Sequence, residues 1–168
     1  MPNSTHRART SRAYTTTCWA ARATFVVDGD LRDPAGILAN PEVCELLAWD
    51  EPIGLLMCGI LHYILHEENP AEIAAKLYRA LPRGSYVFIH HLLQLDDPAS
   101  ATLQEQMRKG VGRAQFRTLD QVRVLFDGLE LVEPGLVLVP DWRPDPGTQG
   151  VRHHPVLPMA CAGLARKP

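Results

Sequence analysis

Two hydrophobic regimes alternate along this 168-residue chain. Short apolar runs rich in β-branched and aromatic residues are separated by stretches in which apolar residues recur three or four positions apart. The first regime predicts strands and the second predicts amphipathic helices. Ala23-Thr24-Phe25-Val26-Val27 is the first short run and stops at Asp28-Gly29-Asp30. Asp33-Pro34 then has the pattern of a helix start, with Asp as N-cap and Pro in the first turn. Ile37, Leu38, Val43, Leu46 and Leu47 supply an apolar face to the following segment, with a break expected near Asn40-Pro41. Ile53 to Cys58 is continuously apolar, the pattern of a strand buried on both faces. Asn69-Pro70 repeats the cap-and-proline signal, Ile73, Leu77 and Leu81 follow at helical spacing, and Pro82-Arg83-Gly84 ends that helix. Ser85 to Leu93 opens a third strand on Tyr86-Val87-Phe88-Ile89.

Strand, helix, strand, helix, strand is the order that parallel pairing requires, because parallel neighbours need a crossover between them. The predicted fold class is therefore α/β, a Rossmann-like, doubly wound, mostly parallel sheet. Beyond it, residues 98–109 and 118–126 read as two polar-faced helices. Leu129 to Val139 reads as a strand that turns at Glu133-Pro134-Gly135 and continues, and Met159 to Ala165 as a last strand. A proline- and glycine-rich loop fills residues 140–158. The first 22 residues stand apart: they are rich in Ser, Thr, Arg and Ala, and the first acidic residue of the chain is Asp28. They are expected to be a disordered or non-native leader before a domain over residues 23–168. An organelle transit peptide has a similar make-up and is the alternative.

Charge and cysteines narrow the class of partner. Seventeen basic against nineteen acidic residues leave a net charge of −2, so no basic excess points to nucleic acid. No run approaches the ~18 apolar residues of a membrane helix. The four cysteines, Cys18, Cys44, Cys58 and Cys161, form no CxxC pair and no metal spacing. Reduced thiols and a cytoplasmic protein are expected, with Cys44 and Cys58 as small buried hydrophobes inside apolar runs. No GxSxG motif suggests a serine nucleophile.

In open α/β sheets, ligands bind beyond the carboxyl ends of the strands. Three such ends are visible: Asp28 to Asp33, Cys58-Gly59-Ile60-Leu61-His62, and His90-His91. Gly59 lacks a Cβ and permits close approach of a ligand to backbone. His62 is a candidate general base, since its ordinary pKa lies near neutrality. His62 and His66 are four residues apart, but two histidines do not make a metal site, and no metal is expected. His90 and His91 are adjacent on a strand, so at most one faces a cleft. Trp142 either lines an acceptor pocket or covers the end of the sheet.

Gly29-Asp30-Leu31 directly after a strand resembles the adenine-binding turn of class I S-adenosylmethionine-dependent methyltransferases. The stretch Val27 to Pro34 is similar, together with further motifs, to one bacterial subfamily of S-adenosyl methyltransferases. Those motifs are Leu61-His62, Leu81 to Tyr86, Gly128 to Gly135, Trp142-Arg143-Pro144 and the terminal Gly-Leu-Ala-Arg-Lys-Pro. This resemblance covers roughly residues 23–168. It implies methyl transfer from S-adenosyl-L-methionine to a small-molecule acceptor. It implies that the Asp30 carboxylate accepts a hydrogen bond from the adenine amino group and that the Leu31 N–H meets a ring nitrogen. It also implies that Cys58, Gly59 and Ile60 approach the methionine part of the cofactor. A turn role for Asp30 and a strand-to-helix turn at Gly59 are the structural alternatives, and Asp28 is the alternative carboxylate.

The same resemblance exposes a gap. The parent family opens with a strand ending in a glycine-rich loop and a second strand ending in an acid for the ribose, but no glycine here precedes Gly29. Two strand–helix units need on the order of 50 residues. The parent strand order is 3-2-1-4-5-7-6, with Ala23–Val27 as strand 3 and Ile53–Cys58 as strand 4. Strands 4, 5, 7 and 6 are then contiguous, while strand 3 lacks its neighbours: it pairs directly with strand 4, floats, or has the gap filled by another chain, and strand 4 is otherwise an exposed edge capable of self-association. A catalytically inactive remnant or partner-binding module is the alternative function. A nicotinamide enzyme is a third reading, weakened by the missing GxGxxG.

Overall fold

The computed structural model describes residues 25–145 and 157–168. Five helices and five strands carry the architecture: α1 (Pro34–Leu38), α2 (Pro41–Leu46), β1 (Gly54–Cys58), α3 (Pro70–Ala80), β2 (Tyr86–Leu92), α4 (Pro98–Val111), α5 (Leu119–Arg123), β3 (Glu130–Leu131), β4 (Val137–Leu138) and β5 (Ala160–Arg166). The strands form one sheet in the order β1-β2-β5-β3, with β4 also on β5. β1 pairs parallel with β2, and β5 runs antiparallel to β2, β3 and β4. Four strands thus point one way and β5 the other. Read in the parent order, β1, β2, β5 and the β3/β4 pair occupy positions 4, 5, 7 and 6, the contiguous block that was expected.

Local sequence explains the helix starts. The Asp33 carboxylate accepts from the Gly36 N–H at 3.0 Å, the Asn40 side chain from Glu42 N–H at 2.9 Å, and the Asn69 side chain from Glu72 N–H at 3.4 Å. Each cap is followed by proline at the first helical position, where the missing N–H costs nothing. Asn40 begins a separate helix, which is the break expected near Asn40-Pro41.

One face of the sheet carries the core. Leu55 and Met57 lie beside Val87 and Ile89, and these beside Ala165 and Gly163. Ile73, Leu77 and Tyr78 of α3 pack there with Val122, Leu125 and Phe126. A Cβ at Gly163 would lie 2.8 Å from Phe126 Cζ, so the glycine lets this ring seat against β5. Among the described residues the opposite face is covered toward the carboxyl end of β2, where Leu92, Ala160 and Phe116 pack with Leu103 and Met107 of α4.

Two expectations fail at the β1 side. Ile53–Cys58 is not buried on both faces: Leu56 is 68% exposed, and Gly54 and Cys58 are also exposed. The reason is topological, because β1 is the sheet edge and no described residue pairs with its outer side. Cys44 is likewise exposed, so neither it nor Cys58 is the expected buried hydrophobe. The predicted strand Ala23–Val27 is not a strand over Phe25–Val27, while Ala23 and Thr24 lie outside the described residues. A strand needs a partner for its N–H and C=O groups, and none pairs with Phe25–Val27 among the described residues. The expected leader over residues 1–22 and most of the proline-rich loop also lie outside the described residues. No helix of the described residues is long and apolar enough to cross a membrane.

Candidate functional site

β1 and β2 run parallel, so their carboxyl ends open on the same side of the sheet. Cys58 lies opposite His90, and the Gly59 N–H donates to the His90 carbonyl at 3.2 Å, carrying the pairing one residue past the strand. The chain then reverses. Gly59 has φ +63°, the left-handed region, and an added Cβ there would sit 3.6 Å from His62 Cε1 and 3.7 Å from His90 Nδ1. Bare backbone thus faces two imidazoles. Ile60 stays partly exposed, and Leu61–Tyr63 forms a single 3₁₀ turn with Leu61 fully buried.

His62 is 3% exposed, and its Nδ1 finds no hydrogen-bond partner among the described residues. Burial lowers its pKa from 6.5 to about 4, with smaller contributions from His90 and Arg117. The ring is therefore neutral at neutral pH. His91 meets it edge-on, with ring centroids 5.6 Å apart. As strand alternation required, His90 and His91 point to opposite faces; His91 is fully buried and His90 half-buried. His91 Nδ1 lies 2.6 Å from the Leu92 carbonyl and Nε2 lies 2.9 Å from Arg117 Nη1. A carbonyl only accepts and a guanidinium only donates, so Nδ1 carries the proton and Nε2 is bare. Burial lowers this pKa to about 3, outweighing the Leu92 carbonyl, which raises it.

Asp30 and Leu31 lie in the turn before α1. The Asp30 carboxylate accepts from the Arg32 N–H at 2.9 Å and from its Nε at 2.9 Å, and forms an ion pair with the same guanidinium. These hydrogen bonds hold its pKa down at about 2. Leu31 turns inward and packs against the main core. A second pair, Arg113 with Glu68, sits close by: Arg113 adds to the field on Asp30, and Arg32 adds to that on Glu68. A shallow cleft of about 420 Å³ is lined by Arg32, Pro34, Glu68, Asn69, Glu72, Ile73 and Lys76. None of the sequence-predicted residues lines it directly, and Arg32 is its link to Asp30.

The structure therefore brings Gly59, His62 and His90 together and keeps Asp30 engaged by Arg32. Sequence reasoning missed Arg117, which is 3% exposed and donates to the Leu61 carbonyl at 2.9 Å and to the Ile64 carbonyl at 2.6 Å as well as to His91. An arginine directly before the Thr118 cap looks like a surface residue, and no local signal marks it. Among the described residues no group of three or more His, Cys, Asp or Glu side chains could hold a metal ion.

Residues 8–168 match the profile of the family described as S-adenosyl methyltransferase. The chain belongs to the S-adenosyl methyltransferase family. Two crystal structures are similar to it. One is a protein of Thermobifida fusca YX with a provisional methyltransferase label, 31% identical, with a TM-score of 0.79 over 88% of this chain and 55% of that one. The other is a DUF574 family protein from Streptomyces avermitilis, 32% identical, with a TM-score of 0.76 over 84% of this chain and 54% of that one. No relative among curated proteins matches. The chain thus spans about half the length of these solved relatives. Within the S-adenosyl methyltransferase fold, the described sheet is the β1-β2-β5-β3 block, and the site stands at the carboxyl end of its edge strand.

Proposed function

We propose that this chain takes part in methyl transfer from S-adenosyl-L-methionine to a small-molecule acceptor, with the methionine end of the cofactor over Cys58, Gly59 and Ile60. The observation that carries this reading is the bare left-handed turn at Gly59 beside the unpartnered Nδ1 of the buried His62. That geometry fits the group: backbone free of a Cβ accepts close approach, and an orphaned buried nitrogen calls for a ligand hydrogen bond. Asp30 and Leu31 would hold the adenine end, which requires the Asp30 carboxylate to share or release Arg32. The bound cofactor supplies an electrophilic methyl group on a positively charged sulfur. Every other task falls to the chain. Cys58 to Ile60 orient and exclude water. His62, unprotonated at neutral pH, would take the acceptor's proton at Nδ1 as the methyl group passes to the acceptor, its bond to sulfur breaking and the neutral thioether leaving. The exposed thiols of Cys44 and Cys58 support a reducing, cytoplasmic setting. An equilibrium titration with S-adenosylhomocysteine tests the reading: saturable binding supports it, and no binding at millimolar ligand rejects it for this chain.

A second reading, self-association, is favoured by β1 itself. Its five residues Gly-Leu-Leu-Met-Cys carry no charge or proline to blunt the edge, and Leu56 projects from it. Leu56→Lys adds the charge that natural edge strands use. Sedimentation velocity should show concentration-dependent dimer for the native chain and monomer for Leu56→Lys, with stability changed by no more than about 0.5 kcal/mol as for an exposed site. A native chain that stays monomeric across the concentration range removes this reading.

A further inference from the structure

We infer that Arg117 is a positioning residue that clamps the Gly59–Leu65 loop in the shape the cofactor site needs, an inference that rests on the reading of that site given above. Five tethers run from the strap between α4 and α5 to this loop and the turn after it. Arg117 donates to the Leu61 and Ile64 carbonyls and to His91 Nε2. The Gln115 N–H donates to the His62 carbonyl at 2.7 Å, and the Gln115 side chain accepts from the His66 N–H at 2.5 Å. Arg113 pairs with Glu68, whose carboxylate in turn accepts from the Leu65 N–H at 2.7 Å. The strap is itself fixed to the sheet, since the Arg117 N–H donates to the Leu92 carbonyl at 3.4 Å and the Gln94 N–H to the Arg117 carbonyl at 2.9 Å.

Arg117 is the centre of this arrangement for a physical reason. The acceptors found for its guanidinium are main-chain carbonyls and one imidazole nitrogen, all neutral. A buried cation held only by neutral acceptors is costly to bury, so it is not explained as an ion pair. What it accomplishes is geometric: one planar fork joins two carbonyls three residues apart and a strand-end histidine. Only arginine presents several donors in a fixed plane; lysine offers a point charge on a flexible stem. The carbonyls of Leu61 and Ile64 bracket His62, so the same fork sets where the unpartnered Nδ1 lies relative to Gly59. Arg117 makes no hydrogen bond to the His62 nitrogen in question, which makes its role indirect.

Arg117→Lys keeps the charge and removes the fork. Amide hydrogen exchange of the ligand-free chain and titration with S-adenosylhomocysteine are read together, below the unfolding transition of both proteins. Exchange over Leu61–Leu65 should accelerate while β2 and β5 amides keep their protection, and the dissociation constant should rise about tenfold or more, as when a supporting residue leaves a site loose. Unchanged loop protection overturns the inference. Faster loop exchange with unchanged affinity also overturns it, leaving Arg117 a purely structural residue and the cofactor reading intact. No binding by the native chain instead overturns the cofactor reading, and the positioning role falls with it. Should Arg117→Lys not fold, Gln115→Ala releases the His66 tether while leaving Arg117 in place, and the same two readouts decide. Methylguanidinium rescue of binding in Arg117→Ala adds a readout that a general loss of stability would not produce.

Discussion

Replacing Gly59 by valine is expected to abolish binding of S-adenosylhomocysteine, and replacing it by alanine to weaken it modestly. The two substitutions share one cost and differ in another. Both force an L-residue into φ +63°, a conformation that costs on the order of 1 kcal/mol for alanine and more for a β-branched side chain. The alanine Cβ itself meets His62 and His90 only at ordinary contact distance, 3.6 and 3.7 Å. Valine adds two methyl groups beyond that Cβ, in the space where bare backbone faces the imidazoles. A ligand held there is displaced, and a loss of about 3 kcal/mol of contact lowers affinity about a hundredfold. A calorimetric titration separates the cases: native and alanine chains with measurable affinity, and a valine chain at least about a hundredfold weaker with its thermal transition still cooperative. Equal affinity of the native and valine chains would remove Gly59 from the site.

Acidification is expected to destabilise the fold steeply between pH 6.5 and 4, well above the range in which ordinary carboxylates titrate. His62 and His91 have folded pKa values of about 4 and about 3, both below the ordinary 6.5. A histidine whose folded pKa is depressed resists the proton that the unfolded chain accepts. The unfolded state therefore binds more protons over this window, and stability rises with pH through it. The contribution is fully present above pH 6.5 and shrinks as pH falls, until His62 itself titrates near 4 and His91 near 3. At pH 5 the loss amounts to as much as about 2 kcal/mol for each histidine, from 1.4 kcal/mol per pKa unit. Urea unfolding at a series of pH values checks this, with the midpoint falling from pH 7 to pH 5 in the native chain and by about half as much in His62→Gln, where His91 still contributes. A flat midpoint over that range would contradict the buried, neutral state of both rings. Asp30 acts in the same sense only below its ordinary 3.8, its contribution being lost as pH falls from there to about 2, where the carboxylate gives up the Arg32 hydrogen bonds.

Much of this architecture was legible because it is written in local chemistry. Asp33-Pro34 and Asn69-Pro70 each announce a helix and Asn40-Pro41 a break, and each side chain accepts the N–H of a helix that starts there. The Glu133-Pro134-Gly135 interruption splits the late strand where a turn was expected, giving β3 and β4 on the same partner. The contiguous block of parent strands 4, 5, 7 and 6 also followed, since it needs only neighbours present in the chain. What failed depended on neighbours that no local motif reports. An apolar run such as Ile53–Cys58 reports what a strand can bury, and whether it does so depends on a second layer and a second strand beside it. Phe25–Val27 likewise finds no ladder among the described residues. Arg117 was illegible for a different reason. Its acceptors lie 53 and 56 positions earlier in the chain and on the adjacent end of β2, and no short motif encodes a convergence over that distance. His62 was visible as a residue type at a strand end, but its burial and its open Nδ1 are set by that same convergence.

The family membership and the strand-end geometry meet at one point, the turn after β1. Backbone amide NMR of the isotope-labelled chain, titrated with S-adenosylhomocysteine, addresses that point directly. The account predicts saturable shifts centred on Gly59, Ile60 and His62, with a second set at Asp30 and Leu31 and little change along β5. Shifts absent at millimolar ligand, or confined to residues away from the carboxyl end of β1, would contradict it.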